Sequence, residues 1–400
     1  MSQSLEVADI FRCHGGDWRA SRRGHLDRQQ LKVMGAIEAC RTARLGGHVW
    51  QCEDCRHSKT AYNSCRNRHC PKCQGAARAD WVAARCAELL PVPYFHVVFT
   101  VPPPVAEIAF HNKAEVYAIL FKAASQALRV IAADPRHLGA QIGGLAVLHS
   151  WGQTMQHHPH VHCIVPGGGL SPNETKWISC REGFFLPVRV LSRLFRRLFL
   201  EQLESAYQKG RLRFSGRLEP LSESERFFAD CRKFRHKDWV VYAKRPFGGP
   251  KQVLAYLGRY THRVAISNSR LIDMVEDRVK VRWKDYRQNS TQKIMTLTAF
   301  EFIRRFLLHV LPSGFHRIRH FGFMANCHRV AKINLCRELL EREEHDLVLQ
   351  RDERRSDVVE RIPRERAPKP VCPCCGGQMQ RQSVVARFDG KSAKNKGRPP

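Results

Sequence analysis

The chain has 400 residues, 43% of them hydrophobic and 9% aromatic, which suits two or three folded domains and excludes a largely disordered protein. Its 67 lysines and arginines against 37 acids leave a formal charge of +30, too large an excess for one solvated helix face, so a polyanion partner is expected, nucleic acid ahead of an anionic membrane. No run approaches the ~20 apolar residues of a membrane span, and the first residues lack a signal-peptide pattern, so a reducing cytoplasm is expected and the 16 cysteines read as thiols or metal ligands rather than disulfides.

In chain order, residues 27–45 read as a helix, and a turn-rich segment from His48 to Gln74 holds clustered cysteines. "QGAARADWVAARCAELLP" is helical and stops at Pro91; "PYFHVVFTVPPP" (93–104) is a strand that its prolines end. A helix follows over about 105–133, and then "GGLAVLHSWGQ" and "HPHVHCIVPGGG" form a hairpin. Amphipathic helices at 190–208 and 221–236 precede the strand "DWVVYA" (238–243) and a short helix, "KQVLAYLGRYTHR". Strands at 278–283 and 293–298 and helices at 298–311 and 325–344 come next. "RIPRERAPKP" is a linker to "CPCCGGQM" and a basic tail. This order predicts an α+β domain with an antiparallel sheet and helices on one side. It divides the chain into 1–90, 91–325, 326–360 and 361–400.

"CEDC" (52–55) and "CPKC" (70–73) are two C-x2-C knuckles 14 residues apart. Each can present two thiolates to one tetrahedral zinc, so Cys52, Cys55, Cys70 and Cys73 are the expected ligands, with Cys65 as substitute and His48, His57 and His69 nearby. The knuckle at Cys372, Cys374 and Cys375 would need ligands from elsewhere to hold a second metal. Cys13, Cys40, Cys86, Cys163, Cys180, Cys231, Cys327 and Cys336 read as packing residues.

In a strand, residues i and i+2 share a face, so His160 and His162 project together and Val161 points to the core. Two neutral imidazoles on one face can hold a divalent metal with open positions. The pair does not continue as a metallo-β-lactamase motif, because Ile164 stands where that site needs Asp. A hairpin turning near Met155 and Gln156 sets His149 opposite His162 as third ligand, with Gln153, of the same parity, as the alternative.

Tyr256 and Tyr260, at i and i+4, share a helix face. A core aromatic stripe is the commoner meaning of this spacing. Here Arg259, His262 and Arg263 crowd the same segment and could hold phosphates beside a hydroxyl. "RWKDYR" (282–287) mixes bases with aromatics, as single-strand binders do, and makes Arg282, Lys284 and Arg287 candidate DNA contacts.

These segments, with "YNSCRNRHCPKCQ", "FFLPVRVLSRLFRRLFL", "YLGRYTHRVAISN" and "EFIRRFLLHVLPSGFHRIRHFGF", resemble transposases of insertion-sequence family ninety-one over nearly the whole chain. That family belongs to the HUH superfamily of single-strand nucleases. The resemblance implies a zinc-binding N-terminal domain, then a catalytic domain built on a five-stranded antiparallel sheet flanked by helices, then a helical C-terminal region. It gives His160 and His162 a catalytic Mg²⁺ or Mn²⁺ and makes Tyr256 and Tyr260 the nucleophiles. The implied activity is nicking and joining of single-stranded DNA at element ends and target. The alternatives are a plasmid-type replication initiator or relaxase, and an inactive zinc-ribbon DNA-binding protein.

Overall fold

In a computed structural model, residues 4–24, 26–244, 252, 258, 265–286, 288–349 and 370–388 are described. The chain opens with α1 (Val7–Ser21) and α2 (Arg28–Ala39), the latter capped where the Asp27 side chain accepts from the Gln29 N–H. Two strands, β1 (Gly47–Cys52) and β2 (Ser58–Tyr62), and α3 (Gln74–Cys86) complete the cysteine-rich part.

A five-stranded sheet forms the centre of the molecule. Its strands are β3 (Tyr94–Thr100), β4 (Gly143–Trp151), β5 (His157–Pro166), β8 (Val241–Lys244) and β12 (Ile318–Gly322), in the order β12-β4-β5-β3-β8, every pairing antiparallel. Between β3 and β4 run α4 (Pro103–His111), which starts on prolines that need no N–H there, and α5 (Lys113–Ala133). The small pair β6 (Gly168–Leu170) and β7 (Trp177–Ser179), then α6 (Val188–Gln208) and α7 (Ser224–His236), lead to β8. At 21 residues α5 is long and apolar enough to cross a membrane, yet it is a core helix: Tyr117, Ala124 and Leu128 are fully buried against the sheet.

Alternation along the strands separates the two faces. Val97, Phe99, Ala146, Leu148, Val161 and Cys163 pack with α4–α7 into the largest core. Leu145, Val147 and Ile164 face the other way, onto Ile333, Cys336 and Leu339 of α9 (Arg329–Leu349), with Trp81 and Val82 of α3 alongside. Helices therefore cover both faces, not the one side the sequence order suggests. Gly144 lets β12 approach closely, since a Cβ there would lie 2.7 Å from both the Phe321 ring and the Ile164 carbonyl.

The strands read at 278–283 and 293–298 are not in this sheet. They belong to β10 (Arg278–Asp285) and β11 (Thr291–Thr298), which pair with β9 (Leu271–Val275). The fifth central strand is β12, from "RIRHFG". The three-stranded sheet shares a core with α1, α2 and α8 (Ala299–Leu308), where Phe11 meets Phe306 edge-on at 5.3 Å. N-terminal helices thus pack with residues 265–310, so cores cross the division at residue 90 that the sequence suggests. The tail crosses it too: β13 (Met379–Val385) pairs with β1, giving the order β13-β1-β2.

Candidate functional site

The histidine hairpin is β4–β5. Its turn closes where the Gly152 N–H donates to the Gln156 carbonyl, with Met155 at a φ of 58°. Pro159 has no N–H for the ladder, and here the register shifts: two residues of β5, His158 and Pro159, face Ser150 alone. The bulge sets His149 opposite His160 rather than opposite His162, whose partner is Val147. The displacement from the expected register is even, so His149 stays on the same face. His149, His160 and His162 bring one imidazole nitrogen each to within 4.8 Å of one another.

His149 is buried and the other two are half-buried. The ring of His149 stacks on Trp151 at 4.7 Å and lies 4.2 Å from that of His162. Desolvation draws His160 down to about 4, so it is neutral at pH 7. Its Nδ1 donates to the His158 carbonyl at 2.7 Å, which leaves Nε2 as the lone-pair nitrogen. Sequence reasoning passed over His96. It is buried in β3, and its Nε2 shares a 2.7 Å hydrogen bond with His162 Nδ1. The signal was its place in "PYFHVVFT", on a strand next to "HVH".

The Gln153 side chain bonds to the end of β10. Its Nε2 donates to the Tyr286 hydroxyl at 3.3 Å and its Oε1 accepts from the Lys284 N–H at 3.4 Å. The hairpin turn therefore abuts the end of β10. Arg270 donates to the Gln153 carbonyl, Arg305 to the Thr154 carbonyl and His309 Nε2 to the Met155 carbonyl. Arg282 and Lys284 stand exposed on one face of β10, with Tyr286 62% exposed just beyond. Tyr256, Tyr260, Arg259, His262, Arg263 and Arg287 lie outside the described residues.

The cysteines sort differently from their order in the chain. Cys70 and Cys73 join Cys40 and Cys65, whereas Cys52 and Cys55 join Cys372 and Cys375. The expected single set of Cys52, Cys55, Cys70 and Cys73 is thus divided between two tetrads. Cys40, read as a packing residue, ends α2 with its Sγ 3.5 Å from that of Cys73, and Cys65 lies at the same distance from Cys73. Hydrogen bonds from Cys65 and Cys70 draw the Cys40 thiol far below its usual value, while Cys40 pushes Cys65 up to about 12 and Cys70 higher still. One negative charge on a thiol cluster opposes the next. A metal ion removes that conflict by stabilising every thiolate.

His69 belongs to neither tetrad. Its Nε2 accepts from the Leu311 N–H and its Nδ1 meets Asn67 Oδ1, while Arg68 donates to the Pro312 carbonyl. These two residues dock the "RNRHCPKC" loop onto the segment after α8.

A family profile described as "Transposase zinc-binding domain" matches residues 10–101, and one described as "Putative transposase" matches residues 143–331. The chain is 60% identical over 335 residues to the "Putative transposase y4qJ" of Sinorhizobium fredii, covering 84% of each chain. It is 27% identical over 310 residues to the "Transposase for insertion sequence element IS801" of Pseudomonas savastanoi pv. phaseolicola, covering 76% of this chain and 72% of that one. No solved structure matches. Sheet, cysteine clusters and matches together define a transposase with a zinc-binding domain near its N-terminus. The chain belongs to the transposases of insertion-sequence family ninety-one.

Proposed function

We propose that the chain cuts and rejoins single-stranded DNA at the ends of its element through a 5′-phosphotyrosine, as rolling-circle-like transposition requires. The observation that carries this reading is the convergence of His149, His160 and His162 on one sheet face. Three imidazoles leave positions of a divalent ion open for phosphate oxygens and water. A bound Mg²⁺ or Mn²⁺ would polarise the scissile phosphate and neutralise the charge that develops on it. The three histidines would hold that ion, with His162 oriented by its hydrogen bond to His96. The hydroxyl oxygen of Tyr256 or Tyr260 attacks phosphorus, its proton passes to a base or water, and the 3′ oxygen leaves as a hydroxyl. A free 3′-hydroxyl reverses the step and joins strands, so no nucleotide cofactor is needed.

One structural point supports this nucleophile. Gly258, midway between the two tyrosines, is buried where a Cβ would lie 2.6 Å from Val82 Cγ2. Val82 packs on the face that carries Val147 and Ile164, each two residues along its strand from His149 or His162. Exposed Arg282 and Lys284 beside the histidine hairpin suit a backbone-tracking groove. Cys40, Cys65, Cys70 and Cys73, all within residues 10–101, hold the structural zinc of the zinc-binding domain.

The test uses single-stranded element ends carrying label 3′ of the cut, with divalent metal. Tyr256→Phe and Tyr260→Phe each keep DNA binding, and the double variant forms no covalent adduct. His160→Ala and His162→Ala abolish nicking. An adduct surviving in the double tyrosine variant transfers the nucleophile elsewhere, Tyr286 first.

A further inference from the structure

The second tetrad is only half covered by the family profiles: Cys52 and Cys55 fall within residues 10–101, whereas Cys372 and Cys375 fall beyond both matched segments. We infer that Cys52, Cys55, Cys372 and Cys375 bind a second zinc ion, which fastens the C-terminal segment onto the N-terminal sheet. The four Sγ atoms lie within 4.8 Å of one another. Cys52 Sγ is 3.4 Å from Cys375 Sγ, and Cys55 Sγ is 3.6 Å from Cys372 Sγ. A disulfide needs about 2.05 Å. Four thiolates about 2.3 Å from a tetrahedral zinc stand about 3.8 Å apart, close to what is seen.

The backbone is shaped for this purpose at both knuckles. Each is a C-x2-C pair, and the Cys374 N–H points at Cys372 Sγ, 3.4 Å away. A Cβ on Gly377 would come within 3.2 Å of Cys52 Sγ and displace the exposed Asp54 carboxylate, so the second knuckle closes tightly on the first. The Glu53 N–H donates to the Gln378 carbonyl at 3.2 Å, and β13 then pairs with β1 from Cys52↔Met379 to Gly47↔Val385. Little apolar surface backs this junction: its core is Cys52, Cys372 and Met379, with Trp50 partly buried against them. So small a cluster is a weak anchor for ends more than 300 residues apart in the chain. A metal bond supplies what the core lacks.

The experiment uses the full chain, purified under reductant without chelator. Native mass spectrometry should count two zinc ions per chain, falling to one in Cys372→Ser/Cys375→Ser. The remaining ion should leave only with Cys40→Ser/Cys73→Ser. Alkylation of the wild-type protein supplies a readout that needs no variant. Cys55, Cys375 and Cys374 are all exposed, so exposure alone predicts equal reactivity. Zinc instead predicts that Cys55 and Cys375 react at least tenfold more slowly than Cys374, and that chelation removes the difference and exposes residues 370–388 to protease. The inference is overturned if the Cys372→Ser/Cys375→Ser variant keeps as many zinc ions as the wild type. It is equally overturned if Cys55 and Cys375 in the zinc-loaded wild type react as fast as Cys374. Neither result depends on DNA cleavage, so the nicking mechanism stands or falls separately.

Discussion

At the scale of single residues, the histidine cluster contains two kinds of contribution. In the proposed metal site His149 would offer a nitrogen directly, whereas His96 would act through its hydrogen bond to His162. A hydrogen bond to a ligating imidazole fixes its tautomer, and losing such a partner typically costs 10–100-fold in metal affinity. His149→Ala and His96→Ala should each raise the metal concentration needed for half-maximal nicking, by about that range for His96. Gln153→Ala should leave the metal requirement unchanged, because that side chain is engaged with Tyr286 and Lys284. A metal titration in which Gln153→Ala shifts and His149→Ala does not would reverse the assignment. The histidine motif was legible because strand parity depends only on neighbours in sequence. The cysteine sets were not. Two adjacent knuckles looked like one site, yet a C-x2-C pair is only half a site and carries no mark of its partner. Cys40 and Cys65 lack a C-x2-C mate altogether, so Cys40 passed for a packing thiol.

At the scale of elements, the β4–β5 hairpin shows where sequence reading stops. Both strands and the shared face were readable, but the register depended on how Pro159 interrupts the ladder. The turn is then held by its neighbours. His309 is buried beneath it, accepting at Nδ1 from Ser150 Oγ and donating from Nε2 to the Met155 carbonyl, each at 3.1 Å. Burial draws His309 down to about 3, from 6.5 for a free imidazole, with the nearby charge of Lys113 adding to the effect. The native state therefore keeps it neutral where the unfolded chain binds a proton. Its contribution is complete above pH 6.5 and declines as pH falls from there toward about 3. Thermal or denaturant unfolding between pH 7.5 and 5 should show stability falling on the acid side, with His309 contributing at most about 1.4 kcal/mol per pH unit. His309→Gln, which cannot titrate, should flatten that slope by about one proton. His157, half-buried and drawn down to about 3 mainly by desolvation, keeps part of the dependence in the variant. An unchanged slope in His309→Gln would mean that acid acts elsewhere.

At the scale of the molecule, the charge of +30 and the placement of β10 belong to one argument. The three-stranded sheet shares its core with α1, α2 and α8, and the turn of the histidine hairpin touches that sheet at Lys284 and Tyr286. Residues read separately as a DNA surface and a catalytic strand are thus adjacent, an adjacency that comes from tertiary packing and leaves no local pattern in sequence. A strand of DNA whose phosphate reaches the histidines would pass Arg282 and Lys284. Each phosphate contact releases condensed counterions, so for single strands log K falls with log[salt] by about 0.7 per neutralised phosphate. Arg282→Ala and Lys284→Ala should each weaken binding to single-stranded DNA of any sequence and reduce the salt slope by about 0.7. Both side chains are exposed, so neither variant should alter folding. The check is fluorescence anisotropy with a labelled oligonucleotide across a series of salt concentrations. Weaker binding confined to one sequence would make these residues base readers, and an unchanged slope in both would take the DNA path off β10.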